Sequence, residues 1–237
     1  MDRPTLLAIS HGTASPTGAS AVAALVDAVA ARLVGEAPVR AGFVDVQQPD
    51  VPTCLAGLRS GAVVVVPLLL SAGYHVHVDL RADVDAALAD GADVTLGGAL
   101  GPDDRLVDVL VRRLDEAGGL EDGDVVVLAA AGSSDARAVA DCEATGERLA
   151  ARIGRPVRVG YIANAAPQLP DVVATARAEN PGSRVVVASY LLAPGFFADL
   201  AVKAGGDVTT RPLLVADADA PGELVDVVVD RYRAAAT

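Results

Sequence analysis

The chain repeats itself, and this repeat constrains its fold more than any other feature. Residues 7–13 (LAISHGT) align with residues 127–133 (VLAAAGS), and a glycine falls at the same place in both. Residues 42–45, 63–75, 93–95 and 106–108 have counterparts at 160–163, 185–197, 207–209 and 224–226. Five matching segments in the same order, at an offset of about 120 residues, predict two duplicated units, 1–118 and 119–237, joined near Gly118 and Gly119.

Short runs rich in Val and Leu alternate with longer alanine-rich segments in both units. Predicted strands cover residues 5–10, 39–45, 62–70, 93–97, 125–130, 157–163, 184–192 and 207–214. Predicted helices cover residues 18–34, 51–59, 80–89, 103–116, 136–153, 169–179 and 222–233. Continuous apolar strands are typical of parallel sheets covered by helices on both faces. We therefore expect an α/β fold of two doubly wound parallel-sheet halves with a cleft between them.

Composition excludes several classes of partner. Apolar residues make up 52% of the 237 residues, which is enough for a substantial core. The net charge of −12 and the absence of Trp argue against nucleic acid or an anionic membrane as a partner. The longest apolar run, residues 62–70, has the length of a strand, and the N-terminus lacks a signal-peptide pattern, so we expect a cytoplasmic protein.

The two cysteines give no sign of a disulfide or zinc scaffold. Cys54 and Cys142 are far apart and form no CxxC pair. We interpret both as small apolar residues buried in predicted helices.

The second unit keeps the framework of the first but loses three of its polar side chains. The pairs are His11 and Ala131, Asp45 and Ala163, and His75 and Phe197. Residues needed only for folding would be needed in both copies. The loss therefore indicates a task that the protein performs once.

These three polar residues fall near the ends of predicted strands. His11 follows the first strand, Asp45 ends the second, and His75 lies a few residues beyond the third. The carboxyl ends of parallel strands line the ligand crevice of an open α/β sheet. Two imidazoles and a carboxylate are a suitable ligand set for a divalent transition metal, with positions left open for a substrate or water.

Each residue also has a simpler interpretation. His11 is also consistent with a structural histidine whose hydrogen bonds are satisfied at the end of a strand. Asp45 is also consistent with a hydrogen-bond acceptor at the end of a strand. His75 lies in a predicted loop, and His77 beside it is a second ligand, a proton acceptor or a solvated residue. Asp79 is predicted to cap the next helix.

The loop of residues 11–18 enters a long helix, and its N–H groups and hydroxyls are placed to hold an anion there. It contains neither a Walker A motif nor GxGxxG. The chain has a single lysine, Lys203, in the second unit. We therefore expect no ATP and no nucleotide cofactor.

Three motifs of the first unit together resemble the class II tetrapyrrole chelatases. Residues 10–13 (SHGT) resemble the opening motif of that family, and residues 67–75 (PLLLSAGYH) resemble its second motif. Residues 42–45 (GFVD), with Pro49, resemble the segment between them. The nearest group is the CbiX-like sirohydrochlorin cobalto- and ferrochelatases. The second unit is similar to the degenerate half of long members of that group.

The resemblance implies insertion of Co²⁺, Fe²⁺ or Ni²⁺ into sirohydrochlorin without ATP, in sirohaem or cobalamin biosynthesis. His11 and His75 match the metal-binding and proton-accepting histidines of the family, and Asp45 stands where many members have Glu. The resemblance also implies that the substrate contacts Ser10, Gly12, Thr13, Gly73 and Tyr74, which lie in the matching motifs. The alternative is a non-catalytic protein that binds or carries a tetrapyrrole or a metal. The implied partner is a small-molecule tetrapyrrole, and the protein is expected to be a monomer or a homodimer.

The acidity of the chain conflicts with a substrate that carries many carboxylates. Both units are acidic, with net charges of −7 and −5. Capture is therefore expected to depend on loop N–H groups, Ser10 and Thr13. Arg40, Arg81 and Arg137 are further candidates, with a solvated surface role as the alternative for each.

Overall fold

Two four-stranded parallel sheets form the framework of the protein. The structure is a computed structural model that describes residues 3–58, 61–71 and 74–237, with the backbone alone for 74–78. The first sheet consists of β1 (Thr5–Ser10), β2 (Val39–Phe43), β3 (Val63–Pro67) and β4 (Val94–Leu96). The second sheet consists of β5 (Val125–Ala130), β6 (Val157–Tyr161), β7 (Val185–Tyr190) and β8 (Val208–Thr209). The order of the strands is β2-β1-β3-β4 in the first sheet and β6-β5-β7-β8 in the second.

Eight helices in the described part of the chain connect and follow these strands. In the first unit they are α1 (Pro16–Arg32), α2 (Val51–Gly57), α3 (Tyr74–Ala89) and α4 (Asp104–Glu116). In the second they are α5 (Ala136–Ile153), α6 (Leu169–Glu179), α7 (Phe196–Lys203) and α8 (Gly222–Ala235). The two units have the same strand order and the same helix sequence, which confirms the predicted fold class.

Side chains alternate between the two faces of each sheet, and both faces are buried. In β1, Leu6 and Ala8 face a core shared with α1, α4, α5 and α8. Leu7 and Ile9 face a second core formed with α2 and α3. The second sheet shares the central core and has its own outer core with α6 and α7. The protein is therefore layered, with four helices packed between two sheets and the other helices outside.

The last helix of each unit packs against the sheet of the other unit. Helix α4 ends the first unit but contacts β7 and α5 of the second. Helix α8 ends the second unit but contacts β3 and α1 of the first. This exchange means that neither sheet is covered by its own unit alone.

Hydrogen bonds fix the exchanged helices to main-chain carbonyls of the opposite unit. The Tyr232 hydroxyl of α8 donates to the carbonyl of Pro4 at 2.7 Å. Arg113 of α4 is 7% exposed and donates to the carbonyls of Pro212 at 3.0 Å and Leu213 at 2.6 Å. Both contacts join residues roughly 100 or more positions apart, so they form only when the whole chain is folded.

Several strands are shorter than predicted. Strand β3 ends at Pro67 instead of residue 70. Strand β2 ends at Phe43, so Asp45 lies in the following loop and does not end the strand. The N–H groups of Val44 and Asp45 still donate to Ser10 and His11 carbonyls at 3.0 Å, and the chain then turns at Val46, whose φ is +62°.

Two helical segments were predicted as loops. Helix α3 begins at Tyr74, so His75 and His77 lie in its first turn and Asp79 is inside the helix, not its N-cap. Helix α7, only eight residues long, was not predicted at all. A segment this short contains too few turns for its apolar stripe to be recognised.

The cysteines differ in burial. Both lie in helices, as predicted, but only Cys142 is buried, whereas Cys54 is partly exposed. Among the described residues, no helix combines the length and the apolar character needed to cross a membrane.

Replacing Arg113 by Met is expected to lower the free energy of unfolding by about 2–4 kcal/mol, since two buried carbonyls and Glu116 lose a charged donor. Urea unfolding followed by circular dichroism measures the change. The matched control is Arg148→Met, which removes an exposed ion pair between α5 and Asp104 of α4. That control is expected to cost less than about 1 kcal/mol. Equal losses in the two variants would contradict a structural role for the buried contact.

Candidate active site

A cleft of about 720 Å³ lies where the carboxyl ends of β1, β3, β5 and β7 meet. It has the size of a pocket for a ligand of several hundred daltons. The first unit lines it with residues 10–14, 22, 46–47 and 68–71, and the second with 130–134, 142, 164 and 190–197. The cleft thus uses the same positions of both sheets, as expected for the ligand crevice of parallel α/β sheets.

The loop after β1 presents His11 to the cleft. Ser10 is buried at the end of the strand, whereas His11 is exposed and lines the cleft. The Thr13 N–H donates to the Gln47 side chain at 2.9 Å, and the Thr13 hydroxyl accepts from the Ser15 N–H at 3.0 Å. Both interactions hold the loop in place, and they leave the His11 side chain facing the opening.

Gly12 allows this loop to approach the one after β2. Its φ is +91°, and a Cβ atom there would lie 2.1 Å from the carbonyl oxygen of Asp45. Gly132 of the second unit has the same conformation, with φ +88° and 1.8 Å to the carbonyl oxygen of Ala163. The glycine of the repeat is therefore required by backbone contact in both units, whichever residue precedes it.

The loop after β2 carries a strained residue into the cleft. Val46 has a φ of +62°, which is unfavourable for a β-branched side chain, and it is 56% exposed. Its counterpart Asn164 has a φ of +56°, a conformation that Asn tolerates well. Both residues line the cleft. The fold thus imposes the same turn on both units, and only the second has a residue suited to it.

Asp45 does not line the cleft. Its side chain is exposed, and its carboxylate accepts a hydrogen bond from the Val46 N–H at 2.7 Å. Its own N–H donates to the His11 carbonyl at 3.0 Å. The backbones of the two residues are therefore adjacent, while the carboxylate is turned onto its own loop.

The segment after β3 is described only in part. Leu68, Leu69, Leu70 and Ser71 line the cleft. Gly73 lies outside the described residues, as do the side chains of Tyr74, His75 and His77, of which only the helical backbone is given. Among the side chains that are described, no three His, Cys, Asp or Glu groups lie together as metal ligands.

The described lining of the cleft carries no Asp, Glu, Lys or Arg. None of the three arginines considered for substrate carboxylates lines it: Arg40 bonds to a neighbouring carbonyl, Arg81 pairs with Asp85 and Arg137 pairs with Asp135. Its polar groups are Ser10, His11, Thr13, Gln47, Ser71, Ser133, Ser134, Cys142, Asn164 and Tyr190. The acidic surface of the protein therefore does not extend into this part of the cleft.

Cys142 and Tyr190, a buried thiol and a buried phenol, line the cleft, and Tyr161 is a further buried phenol of the second unit. Cys142, at the position of Val22 in the repeat, is 4% exposed, and burial raises the pKa of its thiol to about 11. Burial likewise raises the pKa of Tyr161 to about 12 and that of Tyr190 above its usual range. The Tyr190 hydroxyl donates to the Leu70 carbonyl of the other unit at 2.9 Å. These groups stay uncharged near neutral pH.

Sequence reasoning missed several residues that line the cleft. Gln47 and Val46 were not considered, and Phe196 and Phe197 were compared with the first unit but not predicted to line the cleft. Two adjacent phenylalanines in a chain that contains only three were a signal that could have been used.

Gly12→Ala is expected to lower the free energy of unfolding by more than about 3 kcal/mol, because a positive φ and a clash with the Asp45 backbone combine. Gly35→Ala is the matched control, since Gly35 has a φ of +76° but open space around its Cβ position. It is expected to cost only about 1 kcal/mol. Urea denaturation measures both, and similar losses would show that the close approach of the two loops is not needed.

The raised thiol pKa of Cys142 predicts a loss of stability at alkaline pH. Between the ordinary thiol value of 9.0 and about 11, the unfolded chain ionises while the folded chain stays protonated. The contribution of the protonated thiol to the free energy of unfolding is complete below pH 9 and is lost as the pH rises through 11. Cys142→Val places at this position the residue found at Val22. Between pH 8 and 11, its free energy of unfolding is expected to fall by about 2 kcal/mol less than that of the wild type. Urea unfolding at several pH values tests this, and parallel pH curves would contradict it.

Comparison with known proteins places the chain in a family. The CbiX family model matches residues 5–117 and 125–204. The sirohydrochlorin ferrochelatase of Priestia megaterium is 26% identical over 198 residues, which is 80% of this chain and 73% of that protein.

Solved structures share the fold over the whole chain. SirB from Bacillus subtilis with Fe³⁺ superposes with a TM-score of 0.81 at 19% identity, covering 99% of this chain and 96% of SirB. The sirohydrochlorin chelatase SirB from Bacillus subtilis subspecies spizizenii, in complex with cobalt, gives 0.76 at 18% identity, with 99% and 95% covered. The matched residues include both units and the loops that line the cleft. The chain therefore belongs to the CbiX family, as the resemblance of its motifs predicted.

Proposed function

We propose that the protein is a sirohydrochlorin chelatase that inserts a divalent metal, Co²⁺ or Fe²⁺, into the tetrapyrrole without ATP. The observation that carries the proposal is the cleft at the carboxyl ends of both sheets, whose described lining has no Asp, Glu, Lys or Arg and in which His11 of the family motif is exposed. The membership of the CbiX family supports the same activity.

The metal is assigned by analogy with the relatives. The curated relative is a ferrochelatase, and the two Bacillus subtilis structures hold Fe³⁺ and cobalt. We propose Co²⁺ and Fe²⁺ as the metals that this protein inserts, with Ni²⁺ as a further candidate. Imidazole nitrogen suits all three ions. Either sirohaem or cobalamin synthesis would use the product.

The chemistry requires a ligand that releases the metal and a base that accepts protons. Insertion of M²⁺ replaces two pyrrole N–H protons, so two protons leave for each metal bound. An imidazole can bind a transition metal and can also accept protons near neutral pH. We assign these tasks to His11 and His75, the two histidines of the family motifs.

The first β–α loop provides the donors for the substrate. We propose that Ser10, Gly12 and Thr13, with Gly73 and Tyr74 from the segment after β3, contact the macrocycle or its carboxylates. The described lining contains no carboxylate, so a polyanionic substrate meets no like charge there. The net charge of −12 therefore does not oppose binding at this cleft as strongly as composition alone indicates.

We propose Asp45 as a third metal ligand, on the condition that its side chain changes direction. The carboxylate accepts a hydrogen bond from the Val46 N–H, and it must lose this bond before it can turn toward His11. The loss of activity on Asp45→Asn is the measure of that role.

We further propose a cytoplasmic enzyme that uses no nucleotide and acts as a monomer or a homodimer. The exchanged helices α4 and α8 support a monomer, because they cover within one chain the surfaces that a half-length protein would need a second copy to cover.

An absorption assay tests the function. The protein is incubated with sirohydrochlorin and Co²⁺, Ni²⁺ or, without oxygen, Fe²⁺, and the spectrum of the metallated product is followed. His11→Ala and His75→Ala are each expected to lower kcat by about 10²–10⁴-fold. The control variant Arg148→Ala, remote from the cleft lining, is expected to retain the wild-type rate.

Binding of sirohydrochlorin with insertion at the uncatalysed rate for every metal would support a carrier instead of an enzyme. Full activity in both histidine variants would refute the assignment of the site even if the enzyme is real.

A further inference from the structure

Two phenylalanines are exposed at the cleft. Phe196 and Phe197 are the first residues of α7, and their side chains are 73% and 40% exposed. Both line the cleft, with ring centroids 6.0 Å apart and planes tilted by 54°. Phenylalanine is usually buried, and an exposed apolar cluster inside a ligand-sized cleft marks a surface that a ligand covers.

Their position in the repeat makes the cleft asymmetric. Phe196 and Phe197 occupy the first turn of α7, as Tyr74 and His75 occupy the first turn of α3. The same place in the fold thus carries a tyrosine and a histidine in the first unit and two phenylalanines in the second. The polar groups of these two positions are absent from the second unit, which has apolar rings there instead.

The neighbouring lining favours a flat apolar ligand. Val22 and Val46 of the first unit and Leu191 and Leu192 of the second contribute further apolar side chains to the cleft. No charged side chain of the described lining competes with them. Aromatic rings pack well against the face or edge of another conjugated ring system.

We propose that Phe196 and Phe197 bind the tetrapyrrole macrocycle through its conjugated ring and so position it toward the histidines of the first unit. This inference rests on the proposed function, which supplies the identity of the ligand. It assigns a substrate-positioning role to the second unit, which has lost the polar residues of the first. The two rings act on binding and orientation of the macrocycle, and they take no part in proton or metal transfer.

Metal-free binding tests the role without turnover. Sirohydrochlorin is titrated into wild-type protein, Phe196→Ala, Phe197→Ala and the double variant, and Kd is read from the absorption change. Each single variant is expected to raise Kd by about tenfold, in keeping with the strength of one aromatic contact. Phe196→Trp and Phe197→Trp keep a conjugated ring and are expected to stay within about threefold of the wild type.

Val202→Ala is the matched control. Val202 lies on the same helix and is 62% exposed, but it does not line the cleft. Its Kd is expected to be unchanged. In the insertion assay, the phenylalanine variants are expected to raise KM for sirohydrochlorin in proportion to Kd, with kcat at saturation within about threefold.

The outcomes separate this inference from the proposed function. If the wild type inserts metal and the double alanine variant binds sirohydrochlorin with a Kd within twofold of the wild-type value, the proposed role of the phenylalanines is refuted and the proposed chelatase activity stands. If the wild type binds sirohydrochlorin without inserting metal and the alanine variants bind it more weakly, the role of the phenylalanines is supported and the chelatase activity is refuted. A wild type that binds no sirohydrochlorin refutes both.

Discussion

The exchange of α4 and α8 between the units is the constraint on which the rest of the structure depends. Each helix covers the sheet of the other unit, so the two sheets are held in one arrangement and their carboxyl ends open into the same cleft. Buried contacts such as those of Arg113 with two carbonyls of the second unit reinforce it. A cleft between two independently folded units would vary in width, whereas this one is fixed by a shared core.

The same layered arrangement places charged side chains between the units and away from the described lining of the cleft. Ion pairs between units lie along the central helices, where Arg105 pairs with Asp230, Arg231 with Asp103, and Arg233 with Glu36. The described cleft lining holds hydroxyl, amide, imidazole, thiol and apolar groups instead, and no Asp, Glu, Lys or Arg. An acidic protein can therefore present a site without carboxylates to an anionic ligand, because net charge describes the whole surface and binding depends on the local one.

The loop after β1 could be predicted from the sequence as a candidate site, because the repeat compares each residue with a second copy. The comparison of His11 with Ala131 identified the loop that the structure places in the cleft, and the conserved spacing of Gly12 and Gly132 reflects a real backbone contact. The positioning of Asp45 could not be predicted. The direction of its carboxylate is set by a hydrogen bond from the Val46 N–H, in a turn that no local residue pattern predicts.

The sequence by itself determined the two-unit α/β architecture, since alternating apolar patterns and a repeat of about 120 residues are properties of the chain alone. Only the tertiary structure decided that the last helices are exchanged and that Phe196 and Phe197 begin a helix at the cleft. It also decided that Cys142 is buried there while Cys54 is partly exposed. These features depend on contacts between residues far apart in the chain, and a local pattern carries no information about which distant surface will cover it.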